Sequence, residues 1–261
     1  MTEKIRLQKF MSQAGVASRR KAEELIRDLR VEICDREKCS KAQIGDKIDP
    51  AVNQVKVDGQ IIESNQKLVY YAVNKPVGYT SSVRDNYAEK LVTELVPSQP
   101  KVWPVGRLDR DSVGLMVLTN DGELTNKLTH PRYRHEKEYL LKIQIPICQL
   151  ADKSQTPVVE TNIFTMGQVN PKSKIQKLKK GVILTEGIAR FDKLEIINID
   201  EERNIVTIKV VLHQGWKRQI RRMCEKVGLF VLELKRTRIS KLELGDIEVG
   251  KYKIVSKLDI I

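Results

Sequence analysis

The apolar residues of this chain fall in short blocks closed by turn-forming residues, and that pattern limits its fold more than any other feature. Leu68 to Val73 is apolar and aromatic and stops at Asn74-Lys75-Pro76-Val77-Gly78. Leu115-Met116-Val117-Leu118 is closed by Asn120-Asp121-Gly122. Runs this short, bounded by turn signals, read as buried strands. Glu138 to Ile145 and Ile205 to Leu212 alternate, as strands with one exposed face do. Nothing approaches the roughly 18 consecutive apolar residues of a membrane span. From Leu68 onward the pattern predicts one α+β unit, residues 68–261.

The first 62 residues follow a different period. Leu7, Phe10, Met11 and Ala14 are spaced as on one face of a helix, and Ala22, Leu25, Ile26 and Leu29 repeat the spacing. Gly15 breaks the two, and Ser18 is placed to cap the second. Gln54 to Gln60 reads as a short strand with a turn at Asp58-Gly59. Two helices against a small sheet are expected over 1–62, followed by a polar linker at 63–67. Residues 172–180 hold five lysines and no acid. Such a run reads as a solvated loop or strand face, with RNA contact as the alternative.

Charge narrows the choice of partner. The chain has 47 Lys and Arg against 34 Asp and Glu, a formal net charge of +13, which calls for an anionic partner. Residues 1–62 contribute +3 (13 basic, 10 acidic), whereas Lys209 to Arg238 contributes +7 (nine basic, two acidic). Within that stretch, a helix over Lys217 to Val227 would bury Ile220, Met223, Cys224 and Val227. Lys217, Arg218, Arg221 and Arg222 would form a separate basic face, stopping at Gly228.

Two further segments carry chemistry. Gly106-Arg107-Leu108-Asp109-Arg110-Asp111-Ser112-Val113-Gly114 places carboxylates on a glycine-bounded loop feeding a buried strand, where reactive groups are often mounted. The competing reading makes Asp109 and Asp111 turn residues that bond their own backbone. A metal reading is weak, because no histidine cluster accompanies the pair. In His135-Glu136-Lys137-Glu138-Tyr139, the tyrosine is either a rim or core aromatic or, with a nucleic-acid substrate, a platform for an extruded base. Four cysteines make no disulfide framework, and Cys224 reads as a small core residue. His130, His135 and His213 are scattered and read as satisfied or surface residues. With Glu3, Lys4, Arg6 and Lys9 where a signal peptide needs an apolar core, a reducing, cytoplasmic setting is expected.

These motifs together resemble the RsuA-type ribosomal RNA pseudouridine synthases. The resemblance rests on Gly106-Arg107-Leu108-Asp109, Ser112, Gly114-Leu115 and Leu118-Thr119-Asn120-Asp121-Gly122. The Asn74-Lys75-Pro76-Val77-Gly78 turn, the Glu138-Tyr139 pair and Arg218-Gln219-Ile220-Arg221-Arg222-Met223 match in the same order. Arg110-Asp111-Ser112 and Lys235-Arg236-Thr237-Arg238-Ile239 are most like the F branch of large-subunit enzymes. The resemblance implies an N-terminal S4 RNA-binding domain followed by a mixed, mainly antiparallel sheet. It implies isomerisation of a uridine in ribosomal RNA, free or in an assembly intermediate, by a monomer without metal or other cofactor. Asp109 then matches the catalytic aspartate, Arg221 the basic residue paired with it, and Tyr139 the ring packed on the flipped base. Arg107 matches a residue that fills the gap left by that base, and Ile220 one that lines its pocket. Lys217, Arg218 and Arg222, with Arg19, Arg20 and Lys21 of the S4 module, are the remaining RNA contacts expected. The chain departs from the family at Lys21, where a glutamate is usual, and over Val31 to Cys39, which lacks the usual Asn-Gly turn. A non-catalytic RNA-binding or ribosome-assembly protein would not need Asp109, Tyr139 and Arg221 together. A membrane-surface protein would expose bulky apolar residues on its basic helix.

Overall fold

The computed structural model describes residues 4–35, 38–63, 67–146 and 171–261. Ile5–Arg6 (β1) runs directly into α1, Leu7–Gln13, and α2 follows at Arg19–Arg27. The Ser18 hydroxyl accepts the Lys21 backbone N–H at 3.3 Å, so α2 begins where the sequence predicts. Strands β2 (Val31–Asp35), β3 (Lys38–Lys41), β4 (Lys47–Ile48), β5 (Asn53–Val57) and β6 (Gln60–Ile62) come next. They form a sheet in the order β3-β2-β5-β6, while β4 pairs with β1. Asp58 and Gly59 both have positive φ, +50° and +79°, as a two-residue hairpin turn requires. Leu7, Met11, Ala22, Ile26, Val31, Ile48 and Val55 bury one another in a core drawn entirely from these elements.

The segment after Arg30 pairs as two antiparallel strands, and it corrects the reading of the cysteines. In the β2–β3 register Cys34 stands opposite Cys39, and the two form a disulfide. The pairing follows from the antiparallel register of β2 and β3, which the spacing of the two cysteines does not reveal. Cys148 lies outside the described residues, and Cys224 is buried.

The larger sheet begins with β7, Tyr70–Lys75, every residue of which is buried. The strand starts later than the apolar run suggests, and Leu68 is exposed. It continues with β8 (Trp103–Pro104), β9 (Val113–Thr119), α3 (Gly122–Thr129) and β10 (Lys137–Gln144). The Asp121 carboxylate caps α3 by accepting the backbone N–H of Glu123 and Leu124, each at 2.9 Å. Next come α4 (Pro171–Lys180), β11 (Val182–Leu184), β12 (Gly187–Ala189), β13 (Lys193–Asp200) and β14 (Ile205–Leu212). The lysine run is therefore helix α4 and not a loop or strand. Ile175 and Leu178, three apart, are buried and give it an apolar stripe. The chain ends with α5 (Gln219–Lys226), β15 (Phe230–Ile239), β16 (Leu242–Glu243), β17 (Tyr252–Ile254) and α6 (Lys257–Ile260).

Among the described residues the sheet runs β13-β14-β10-β15-β9-β7-β17, with β16 on β15 and β8 on β9. All pairings are antiparallel except β15 with β9. Successive residues of β9 face opposite sides. Met116 and Leu118 join a core with Tyr139, Ile220, Ile175 and Leu178, so α4 and α5 cover that face. Leu115 and Val117 join a second core with Leu124 and Leu128 of α3. No described helix is long and apolar enough to cross a membrane.

The parallel junction depends on one glycine. Gly114 has φ +104°, and a Cβ there would lie 2.3 Å from the Arg236 carbonyl oxygen. Gly114→Ala is expected to lose more than about 3 kcal/mol of stability through this clash and the backbone strain. A urea unfolding midpoint equal to that of the wild type would show that the junction spreads to admit a methyl group.

Candidate active site

The loop between β8 and β9 is held from below by the turn after β7. Lys75 is fully buried at the end of β7. Its ammonium donates to the carbonyls of Ser112 at 2.7 Å, Pro76 at 2.9 Å and Arg110 at 3.4 Å. The Gly78 N–H donates to the Arg110 carbonyl at 2.8 Å. The Arg110 guanidinium returns a bond to the Gly78 carbonyl at 3.2 Å. The Ser81 hydroxyl grips both sides of Leu108, donating to its carbonyl at 2.6 Å and accepting its N–H at 3.1 Å. Residues 108–112 thus sit on a scaffold with little backbone freedom left.

That scaffold presents two carboxylates in different ways. The Asp109 carbonyl accepts the Ser112 N–H at 3.1 Å, so its backbone does form a turn. Its carboxylate, however, makes no hydrogen bond among the described residues and is 30% exposed. The nearest cation is Arg218, at 3.9 Å. Asp111 is the tied member of the pair. Arg218 donates to its two oxygens at 3.2 and 3.3 Å, and Arg221 lies 3.3 Å away. Burial raises the Asp111 carboxyl, but the Arg218 hydrogen bond and the charges of both arginines outweigh it and hold the group below its ordinary value.

The expected pairing of Arg221 with Asp109 is therefore corrected. Arg221 donates to the Asp111 carbonyl and the Val231 carbonyl, each at 3.1 Å, bracing the loop against β15. The cation facing Asp109 is Arg218, which caps α5 in the left-handed conformation (φ +49°) and so turns its side chain away from the helical path. The expected basic face of α5 is also corrected. Lys217 and Arg218 precede the helix, and Arg222 is locked to Glu186 by bonds of 2.7 and 2.9 Å. That pair holds the Glu186 carboxyl down to about 2. Three of the four cations are answered by carboxylates of the same chain. Lys217 is exposed, and on α4 the exposed Lys177, Lys179 and Lys180 make no ion pair among the described residues.

An apolar wall adjoins the loop. Tyr139 on β10, Leu108 of the loop and Ile220 of α5 are buried in one cluster with Met223 and Leu234. Leu108 and Ile220 are the sequence neighbours of Asp109 and Arg221, so the loop and α5 share this cluster with Tyr139. Arg107 is exposed and unpartnered among the described residues. Arg19, Arg20 and Lys21 sit exposed at the start of α2, Lys21 pairing with Glu24 at 2.7 Å. Cys224 is packed inside α5, its thiol pushed up to about 12 by burial, which makes it a core residue. His213 is bonded to Asp192 at 2.7 Å, His135 to Ser240 at 3.2 Å, and His130 accepts the Arg132 N–H at 3.3 Å. Among the described residues no three His, Cys, Asp or Glu side chains converge as metal ligands, and Asp109 and Asp111 face arginines instead.

Sequence reasoning missed Ser81 and the reach of Lys75. Lys75 was visible only as part of a turn, and no local signal marked Ser81. Arg236 was also missed as a structural cation. It is 2% exposed, and its Nε donates to the Leu115 carbonyl at 2.7 Å. Nearby Lys137 is pushed down to about 8, by burial first and then by the Arg236 charge.

A family model described as RNA pseudouridylate synthase matches residues 69–226. The ribosomal large subunit pseudouridine synthase B of Bacillus subtilis is 35% identical over 246 residues, covering 94% of this chain and 89% of the relative. The dual-specificity RNA pseudouridine synthase RluF of Escherichia coli K12 is 34% identical over 259 residues, covering 98% and 77%. The crystal structure of a pseudouridylate synthase aligns over 98% of both chains with a TM-score of 0.59 at 21% identity, which supports the fold.

The lysine clamp has a pH signature. Burial pushes the Lys75 ammonium down to about 8, although the Asp111 and Asp109 charges oppose the shift. An unfolded lysine keeps its proton to about pH 10.4. Between these values the unfolded chain holds a proton that the folded chain has released, so raising the pH through this window favours folding. The penalty is fully present below the folded value and relieved above it. Wild type is therefore expected to gain on Lys75→Met between pH 8 and about pH 10, by at most about 1.4 kcal/mol per pH unit. Urea midpoints that differ by a constant amount across this range would contradict the clamp.

Proposed function

The chain belongs to the RNA pseudouridylate synthase family, and we propose that it isomerises a uridine of large-subunit ribosomal RNA to pseudouridine with Asp109 as the catalytic carboxylate. The observation that carries the assignment to Asp109 is its carboxylate, left without a hydrogen bond on a braced loop, 3.9 Å from Arg218 and next in sequence to Leu108, which shares a buried cluster with Tyr139 and Ile220. The reaction breaks the C1′–N1 bond of the uridine, turns the base and joins C1′ to C5. The C5 proton is lost and N1 gains one, so the change is an isomerisation. A carboxylate suits it as nucleophile or base and as a counter-charge to positive charge developing at C1′. Arg218 faces that carboxylate as a fixed cation, and Arg221 positions the loop through Asp111. Tyr139 packs against the extruded base, Ile220 lines its pocket, and Arg107 enters the space the base leaves.

In this reading residues 1–62 are an S4 RNA-binding domain, joined through 63–67 to the catalytic domain at 68–261. Arg19, Arg20 and Lys21 contact RNA. The protein works in the cytoplasm as a monomer, on naked or partly assembled ribosomal RNA. The separate core of the first 62 residues supports the division. The Bacillus subtilis relative, named a ribosomal large subunit pseudouridine synthase, supports the class of RNA.

Asp109→Asn is expected to abolish pseudouridine formation in a ribosomal RNA transcript while leaving RNA affinity within about twofold. Turnover near the wild-type rate would sink the assignment. Arg218→Ala is expected to slow single-turnover formation about a hundredfold, as when a fixed electrostatic partner is removed from an active site. Arg222→Ala removes only the anchor to Glu186, so its loss of rate is expected to be much smaller. Equal losses in the two variants would return the cation facing Asp109 to a purely structural role. Mapping pseudouridines in ribosomal RNA from a deletion strain and its parent would identify the uridine.

A further inference from the structure

The N-terminal elements and helix α3 face each other across a cleft that the proposed reaction does not use. It encloses about 1210 Å³ and is lined from both sides. Lys9 and Arg19 come from the N-terminal side, and Lys127, Arg132, Tyr133 and Trp103 come from the other. Most of the remaining lining is serine, threonine, asparagine and glutamine. We propose that this cleft is a second RNA site, which holds the sugar–phosphate backbone of a substrate segment remote from the target uridine. The inference rests on the proposed reading that the substrate is a large structured RNA.

Charge decides the class of ligand. Four cations line the cleft against one carboxylate, Glu123. Glu123 meets Lys9 at 3.4 Å with its own side chain 69% exposed. A pair that open to solvent holds weakly and yields readily to a phosphate. Arg19 and Lys127 have no carboxylate partner among the described residues. The Arg132 guanidinium stacks 4.5 Å over the Tyr133 ring and bonds its hydroxyl, which orients the cation without neutralising it. In contrast, the arginines around α5 are consumed by Asp111 and Glu186. The cleft thus keeps unneutralised cations, as α4 does, whereas most cations around the helix that the sequence singled out are paired.

The lining also fits RNA better than protein or lipid. Short polar side chains bond phosphate and ribose oxygens, and exposed rings take unpaired bases. Among the described residues that line the cleft there is no Ala, Val, Leu, Ile, Met or Phe to seat a protein helix or an acyl chain. Position adds a constraint. Leu124 and Leu128 place α3 on the sheet face opposite Tyr139. At the end of α3, Thr129 comes close to Gly106, where a Cβ would be 3.6 Å from its methyl group. The cleft therefore lies on the other sheet face from Tyr139 and borders the Gly106–Arg107 turn, so it is assigned to RNA beyond a short stem-loop around the target uridine.

The test uses the full chain and two RNAs, a large-subunit ribosomal RNA transcript and a short stem-loop carrying the modified uridine. For Lys127→Ala/Arg132→Ala, KM on the long transcript is expected to rise about tenfold, with a smaller effect on kcat. Values on the stem-loop should stay within about twofold of wild type. The slope of log affinity against log salt on the long RNA should fall by about two, close to one phosphate contact per cation removed. As a check independent of the variant's folding, the wild type is crosslinked to the transcript carrying 4-thiouridine, and the Tyr133 and Trp103 peptides are expected among the products. Normal product formation with unchanged KM and slope, or with crosslinks confined to the catalytic loop, overturns the cleft and leaves the proposed reaction intact. Cleft crosslinks and a reduced slope without product from either RNA keep the cleft and overturn the reaction.

Discussion

An ammonium sealed from water must place each of its protons, and Lys75 places them on three backbone carbonyls rather than on a carboxylate. Two of those carbonyls, Arg110 and Ser112, flank Asp111 on the loop that carries Asp109. The buried charge therefore sets the height and tilt of the loop above β7. Ser81 secures Leu108 in the same manner from the next part of the chain. With both ends held, Asp109 is free to present a carboxylate that has no structural bond of its own. A reactive group gains from that division of labour, because a side chain used as a brace is not available to a substrate.

The electrostatics follow the same division. Asp111 takes up the arginine bonds and fixes the loop to α5, and Asp109 lies within the field of Arg218 without being captured by it. Arg222 turns to Glu186 and ties α5 to the β11–β12 hairpin. The helix that looks most like an RNA-facing surface is thus largely an internal strut. The net charge of +13 has to be read through these pairings. Cations answered inside the chain add little to long-range attraction, whereas those left open at the α3 cleft and on α4 carry it.

The N-terminal elements show how local and distant effects divide. The two helix spacings, the Ser18 cap and the Asp58-Gly59 turn were all legible, since each depends on residues a few positions apart. The β2–β3 pairing was not, and the Cys34–Cys39 disulfide went unread with it. The lysine run failed for the opposite reason. Its charges hid a two-residue apolar stripe, Ile175 and Leu178, that matters only because a core waits beneath it.

The sequence alone determined the family, the strands around the site and the loop bearing Asp109, because apolar period and turn chemistry are local and survive without knowledge of partners. It also marked Tyr139, Ile220 and the arginines of the α5 region as candidates for the site. Which arginine faces Asp109, what the other cations bond and where Lys75 sends its protons were decided only by the tertiary structure. A helical wheel gives the direction of a side chain about its own axis. It says nothing of the carboxylate or carbonyl brought opposite by a strand a hundred residues away, and at a few ångströms that distance decides the pairing.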